Sequence, residues 1–403
     1  MTDACATTAP DNKSYSIKEA AIVIFWLAMG SFAIGVSEFA AMGLLPYFAA
    51  DLGVSEEIAG HAISAYALGV VVGAPLITVI AARWPRKHVL IGLMAFYALG
   101  NGITTLANSM VTMDIARFIS GLPHGAYFGI AMLFAADIVG KGNRAKAISY
   151  VIMGLAVATV IGVPAANTIG QEFGWRFGFG LVVIIAALAR LMIWRTAPYK
   201  GPHPEENPLS EIGALKNKDV LLVLAMGAIG FGGMFSVFSY ASAAFLETTN
   251  APEWGVSFIL MAYGLGTVIG HFIAGQIAGG RLLGTALGFQ LLLGASSAFY
   301  AFSIGNPWLI GLSLFSIGIG GGLVVPLQTR LMDVAGEAQT MAAAMNHAAF
   351  NLANALGPWL AGLALAAGYG WSSSGWVGVA LTLGGVIIWT IIKLTDRVEA
   401  SAQ

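Results

Sequence analysis

Three side chains able to hold charge or pass protons stand in stretches that otherwise avoid water. Glu38 is the one acid in GVSEFAAMG, Gly35 to Gly43, while Arg117 and His124 share ARFISGLPHGAYFG, Ala116 to Gly129. A carboxylate or guanidinium inside a bilayer is costly and marks a functional site by default. Burial disfavours a carboxylate's charged form and a nearby guanidinium favours it. A Glu held between these influences can take a proton from one side of a membrane and release it on the other. Imidazole titrates near neutrality, so His124 could relay that proton, or stay neutral against a backbone carbonyl.

A second set of polar groups suits recognition. His347, Asn351 and Asn354 fall on one face of a helix (i, i+4, i+7), with Asn346 just before them, and Phe128 follows Arg117 and His124 at helical spacing. Phe235, Ser239 and Tyr240, with Ser236 and Phe238, would form a mixed aromatic and polar wall. Each Asn could bridge helices or contact a polar ligand. Asn101, His271 and Gln328 read as packing groups.

The elements that must position these groups follow from composition. The chain has 403 residues, 58% hydrophobic and 10% charged, with mean hydropathy +0.80. Ordinary soluble domains carry about 25% charged residues, so this chain reads as a multi-span membrane protein. A helix crossing the bilayer needs about 20 mainly apolar residues. Twelve such runs are present: Ala20–Pro46, Ile58–Ala82, Val89–Ala107, Val111–Asp137, Ala145–Ile169 and Phe177–Trp194, then Val220–Phe245, Val256–Ala278, Leu283–Ser303, Trp308–Leu331, Met341–Ala367 and Trp376–Leu394. The expected divisions are a tail 1–18, a six-helix half 19–196, a linker 197–218, a second half 219–395 and a tail 396–403. No removable signal peptide is expected, and Cys5, the single cysteine, excludes an internal disulfide.

Of the 19 Lys and Arg, all but Arg117 and Arg176 fall at the termini, the linker or the even-numbered connections. The positive-inside rule then places both termini and the linker in the cytoplasm. On that reading Glu38 lies about 12 Å, and Arg117 about 9 Å, from the outer ends of their helices. The pair is at matching depth, which allows either a proton-coupling site or a permanent structural ion pair.

The two halves repeat. Tyr66, Gly69 and Gly73 of the second run recur 197 residues on as Tyr263, Gly266 and Gly270 of the eighth. The same offset carries Phe118, Gly121 and Gly125 onto Phe315, Gly318 and Gly322. Small residues four apart let membrane helices approach closely, and one register over two helix pairs argues for a duplicated unit. Glu38 and Arg117 have no counterpart, because the offset leads to Phe235 and Leu314.

These features resemble the major facilitator superfamily, specifically its sugar-efflux and drug:proton antiporter branch of arabinose-efflux-permease-like members. The resemblance rests on AGHAISAYALGVVVGAP (Ala59–Pro75) with ARWPRKHVL (Ala82–Leu90), on ARFISGLPHGAYFG, on GLAVATVIGVPAANTIG (Gly154–Gly170) and on GVSEFAAMGLLPYFAADLGVS (Gly35–Ser55). It implies an all-α fold of two pseudo-symmetric six-helix halves that export a small molecule, a sugar or a drug-like compound, by alternating access. It implies that spans one, four, seven and ten line the central cavity, which puts Glu38 and Arg117 on the transport path and favours proton coupling over a fixed structural pair there. In span five, Gly154, Gly162, Pro164 and Gly170 allow a bend and a close approach to a neighbouring helix, and the resemblance assigns such a pattern to exporters.

The resemblance further implies a bacterial cytoplasmic-membrane protein acting as a monomer among membrane lipids. It implies the proton gradient as driving force, with no cofactor, no metal and no nucleic-acid partner. The inner-loop motif departs from the family: Ala82 stands where an acid precedes the first arginine, and Pro85 replaces a glycine. Arg83, Arg86 and Lys87 are therefore expected to meet helix ends or anionic lipid heads. Asp137 is expected to face Arg144 and Lys146 across the inner end of span four.

A GxxxxGK[ST] loop is absent, so ATP hydrolysis is not indicated. Symport or uniport remains an alternative. An intramembrane enzyme lacks HExxH, GxSxG or paired acids, and a channel lacks a ring of charges.

Overall fold

The computed structural model describes residues 16–81, 83–139, 144–201, 217–277, 282–335 and 339–402. Twelve of its helices are long and apolar enough to cross a membrane. Spans one to six are Ile17–Gly43, Glu56–Ala81, Arg86–Thr105, Met110–Val139, Ala147–Phe173 and Trp175–Thr196. Spans seven to twelve are Lys218–Thr248, Gly255–Ile277, Leu282–Ser303, Pro307–Leu331, Ala344–Ala366 and Ser372–Asp396. Each overlaps the run expected from hydropathy. The Arg144 side chain and the linker residues 202–216 lie outside the described residues.

Both halves are built on the same glycine crossing. In the first, a side chain at Gly69 would strike the Phe118 carbonyl at 2.2 Å and one at Gly121 the Tyr66 carbonyl at 2.1 Å. In the second, Gly266 faces the Phe315 carbonyl at 2.1 Å and Gly318 the Tyr263 carbonyl at 2.2 Å. These are the pairs the 197-residue offset relates. Only hydrogen in place of a side chain lets the backbones touch.

Span four is broken where Pro123 withholds its amide, with helix on either side from Met110 to Gly121 and from His124 to Val139. In span five a π-helical turn, Ala158–Gly162, precedes Pro164. Its glycines face span one: Gly154 lies on the Ala28 carbonyl, Gly162 on Phe32 and Val36, and Gly170 on Leu44. The expected close approach is therefore to span one.

Among the described residues, most of the hydrogen bonds crossing between the halves lie on the side away from the linker. Ser64 Oγ donates to the Ala355 carbonyl at 3.0 Å, Asn167 Nδ2 to Ser257 Oγ at 3.2 Å and Gln171 Nε2 to the Glu253 carbonyl at 3.2 Å. There span eight also abuts the π-turn, since a side chain at Gly264 would meet the Thr159 carbonyl at 2.4 Å. This side is called the far side below, and it is closed.

Candidate functional site

Glu38 sits in span one, 5% exposed, in the seam between the halves. Its Oε1 accepts a hydrogen bond from Nδ2 of Asn354, on span eleven, at 3.0 Å. Beside it Phe39 stacks on Phe235 at 6.3 Å and meets Phe238 edge-on at 5.9 Å. Tyr263 closes that aromatic group, 3.9 Å from Phe238 between ring centres.

The expected pairing of Glu38 with Arg117 is not formed. Arg117, fully buried, donates from Nη1 to Ser37 Oγ at 2.9 Å and from Nη2 to the Ser37 carbonyl at 3.2 Å. Its guanidinium lies 4.3 Å above the Tyr66 ring and 5.2 Å from Phe179. The reason is helical geometry: neighbouring residues point about 100° apart at 3.6 residues per turn. Ser37 therefore faces the interior of its own half while Glu38 faces the other half.

From Ser37 a polar chain runs through the first half. Ser37 Oγ donates to Asn101 Oδ1 at 2.6 Å, and Asn101 Nδ2 to the Tyr97 carbonyl at 2.9 Å. The Tyr97 and Tyr66 hydroxyls share a 3.0 Å bond, and Tyr66 also meets His124 Nδ1 at 3.0 Å. His124 packs on Phe128, which stacks face to face with the half-buried His347 at 4.7 Å. His124 and His347 thus approach to 6.1 Å from opposite halves. Sequence reasoning missed Ser37, Tyr66 and Tyr97 and set Asn101 aside as packing. The available signal was two tyrosines in lipid-spanning helices, because a buried phenol needs a partner.

The remaining expected binding residues divide. Asn354 and Phe235 join Glu38 at the seam. Asn351 turns its Nδ2 back to the His347 carbonyl at 3.0 Å and leaves Oδ1 without a partner. Ser239 is buried nearby on span seven with its hydroxyl unpaired. Tyr240 stands apart, donating to the Pro358 carbonyl at 3.1 Å and packing 6.4 Å from Trp371. Asn346 donates to Gln328 as a packing pair.

At the linker side, Asp137 forms an ion pair with Arg86, a partner the sequence did not suggest; Arg144 and Lys146 were the residues expected to face it. The side chains of those two residues lie outside the described residues. Lys87 donates to the Ala197 carbonyl at 2.6 Å, at the end of span six, so it does meet a helix end. Arg83 is exposed. Between spans one and five, also at the linker side, lies an apolar alcove of about 720 Å³ lined by Ile24, Phe25, Phe32, Tyr150 and Val157 among others.

A model of the Major Facilitator Superfamily matches residues 27–346. The inner membrane transport protein YdhP of Escherichia coli is 37% identical over 347 residues, covering 86% of this chain and 89% of that one. A chloramphenicol resistance protein of Streptomyces lividans is 30% identical over 373 residues, 89% of this chain and 94% of the other. The solved nucleoside transporter NupG, crystallised as a point mutant, superposes with a TM-score of 0.74 at 11% identity, over 93% of this chain and 99% of that chain.

Proposed function

This chain belongs to the major facilitator superfamily, and from that premise we propose that it is a proton-driven exporter of lipophilic small molecules. It is a multi-pass bacterial membrane transporter. In this reading it sits in the cytoplasmic membrane, with linker and termini on the cytoplasmic side.

One observation carries the coupling. Glu38 lies in the seam where the halves meet, bound among the described residues by a single neutral amide, with Arg117 committed to Ser37. A carboxylate so placed is free to change its charge, whereas one locked to a guanidinium is not. Protons from the far side and substrate from the linker side compete for the same group. Neither can be carried with the other, and exchange results.

The substrate class follows from the alcove. Phe25, Phe32 and Phe39 recur every seven residues and so share a face of span one. Phe39 touches span seven and Phe32 meets Gly162 of span five, so that face runs along the border between the halves. Phe25 and Phe32 line the alcove, which lies nearer the linker side than Glu38 does, and Tyr150 is the one hydrogen-bonding side chain in its lining. A sugar entering it would forfeit its hydrogen bonds to water, while an apolar body would gain. A relative of nearly equal length that confers chloramphenicol resistance supports the same class.

The test is reconstitution in proteoliposomes with an imposed pH gradient and a lumenal pH dye, scanning sugars, amphenicols and lipophilic cations. Proton movement opposite to that of an apolar substrate is expected, and Glu38→Gln should fold normally yet abolish gradient-driven transport. Proton and substrate moving together would make the protein a symporter. Wild-type active transport by Glu38→Gln would remove Glu38 from coupling.

A further inference from the structure

Asn354 is more than a neighbour of Glu38. It comes from the opposite half, is fully buried, and uses only one end of its amide: Nδ2 donates to Glu38 Oε1 at 3.0 Å while Oδ1 has no partner. Glu38 Oε2 likewise takes no hydrogen bond among the described residues. A carboxylate only accepts, so it cannot satisfy an amide oxygen; a carboxylic acid carries one donor and can.

We propose that Asn354 reads the protonation state of Glu38 and thereby sets whether the far side is shut. The protonated acid donates to Asn354 Oδ1 and accepts from Nδ2, closing a ring of two hydrogen bonds between span one and span eleven. The ionised form keeps one bond, orphans the amide oxygen and leaves a charge in a largely buried seam, which favours separation of the halves. This rests on the antiport reading above and gives it a direction. A proton arriving from the far side shuts that side behind it. Its release to the linker side loosens the latch, so a substrate-loaded carrier can open outward.

The groups that face Glu38 from surrounding helices are Arg117, Tyr66, Tyr97 and Tyr263. Arg117 is held by Ser37, and phenols ordinarily titrate near pH 10. The nearby imidazoles are those of His124 and His347, a side chain that when free changes charge near neutrality, and a control silences both.

The experiment attaches spin labels at Asn108→Cys and Asn250→Cys, exposed far-side positions in opposite halves, in a Cys5→Ala background, and reads their distance distribution in nanodiscs. Between about pH 8 and about pH 5.5 the short-distance population should rise about three- to tenfold, the equivalent of roughly one hydrogen bond. Glu38→Gln should hold the short distance at every pH, because its amide makes the same ring. Asn354→Leu should lose the response while eluting as a folded monodisperse protein, and Asn354→Gln should restore part of it. A His124→Gln/His347→Gln background should retain it.

A full pH response in Asn354→Leu, or far-side opening on acidification, overturns the inference. Substrate-driven proton flux in the unsubstituted protein separates the two readings. Flux together with an intact response in Asn354→Leu sinks this inference alone. Absence of both flux and response sinks the antiport reading with it.

Discussion

Arg117 grips Ser37 by hydroxyl and carbonyl, at 2.9 and 3.2 Å, one residue away from the carboxylate it had every opportunity to neutralise. The grip orients span one: it fixes the azimuth at which Glu38 enters the seam. It also loads Arg117 with a forked contact and a stacked ring, Tyr66 at 4.3 Å, which a lysine cannot reproduce.

Arg117→Lys is therefore expected to cost about 2 kcal/mol, since bonds from a charged donor are each worth about 1.5–3 kcal/mol and part is regained by the ammonium. The loss should be visible as a lower apparent melting temperature in detergent. Glu38→Gln, which keeps its shape and its Asn354 partner, should shift that temperature far less. Equal shifts in the two variants would mean that Arg117 does not orient span one.

The far-side seal depends on span eight lying against the π-turn of span five. Adding a methyl at Gly264 places a carbon 2.4 Å from the Thr159 carbonyl, inside van der Waals contact with backbone that cannot easily yield. Gly264→Ala should open the seal and slow proton-driven transport at least several-fold, as overpacking commonly costs about 1–3 kcal/mol. Gly129→Ala, with open space at that position, should transport normally. Matching rates for the two would show that the contact is dispensable.

The fold was legible because two independent signals repeat along the chain. Hydropathy marks each span, and the glycine register pairs span two with four and eight with ten in the same way that their backbones touch. The candidate site was only half legible. Depth along a helix can be read from residue counts, so Glu38 and Arg117 were placed at one level. The direction each faces depends on packing, and the turn of about 100° between Ser37 and Glu38 decides the matter. Asn354 is 316 residues from Glu38 and was one of several polar groups on its stripe, so no spacing rule could single it out. Asp137 was assigned to basic residues nearby in sequence, although an arginine 51 positions earlier reaches it.

Between spans one and two, outside the membrane-spanning segments, Asp51 accepts from Arg176 Nη1 at 2.5 Å and from the Trp175 indole at 3.0 Å. Those two donors, Arg176 first, hold its carboxyl below the usual aspartate range. With the folded value depressed, the contribution to stability is present above the unfolded value of about 3.9 and is lost as pH falls through the folded one. Both side chains are more than a third exposed, so solvent screening limits the effect to about 1 kcal/mol or less. Asp51→Asn should narrow the gap in apparent melting temperature between neutral and acidic buffer. An unchanged gap would show that the pair adds nothing.

At the linker side the Arg86–Asp137 ion pair ties the connection between spans two and three to the end of span four. Arg86 is the more buried partner, at 13% side-chain exposure against 33%, so losing Asp137 removes a countercharge from a poorly hydrated cation. Asp137→Asn should therefore impair transport by about tenfold or more, while Arg86→Lys, which keeps the charge but not the fork, should fall between it and the unsubstituted protein. The exchange Arg86→Asp with Asp137→Arg restores opposite charges at the same two positions. Recovery beyond either single reversal would assign the effect to their mutual attraction; a double variant no better than the worse single one would assign it to the separate surroundings of each residue.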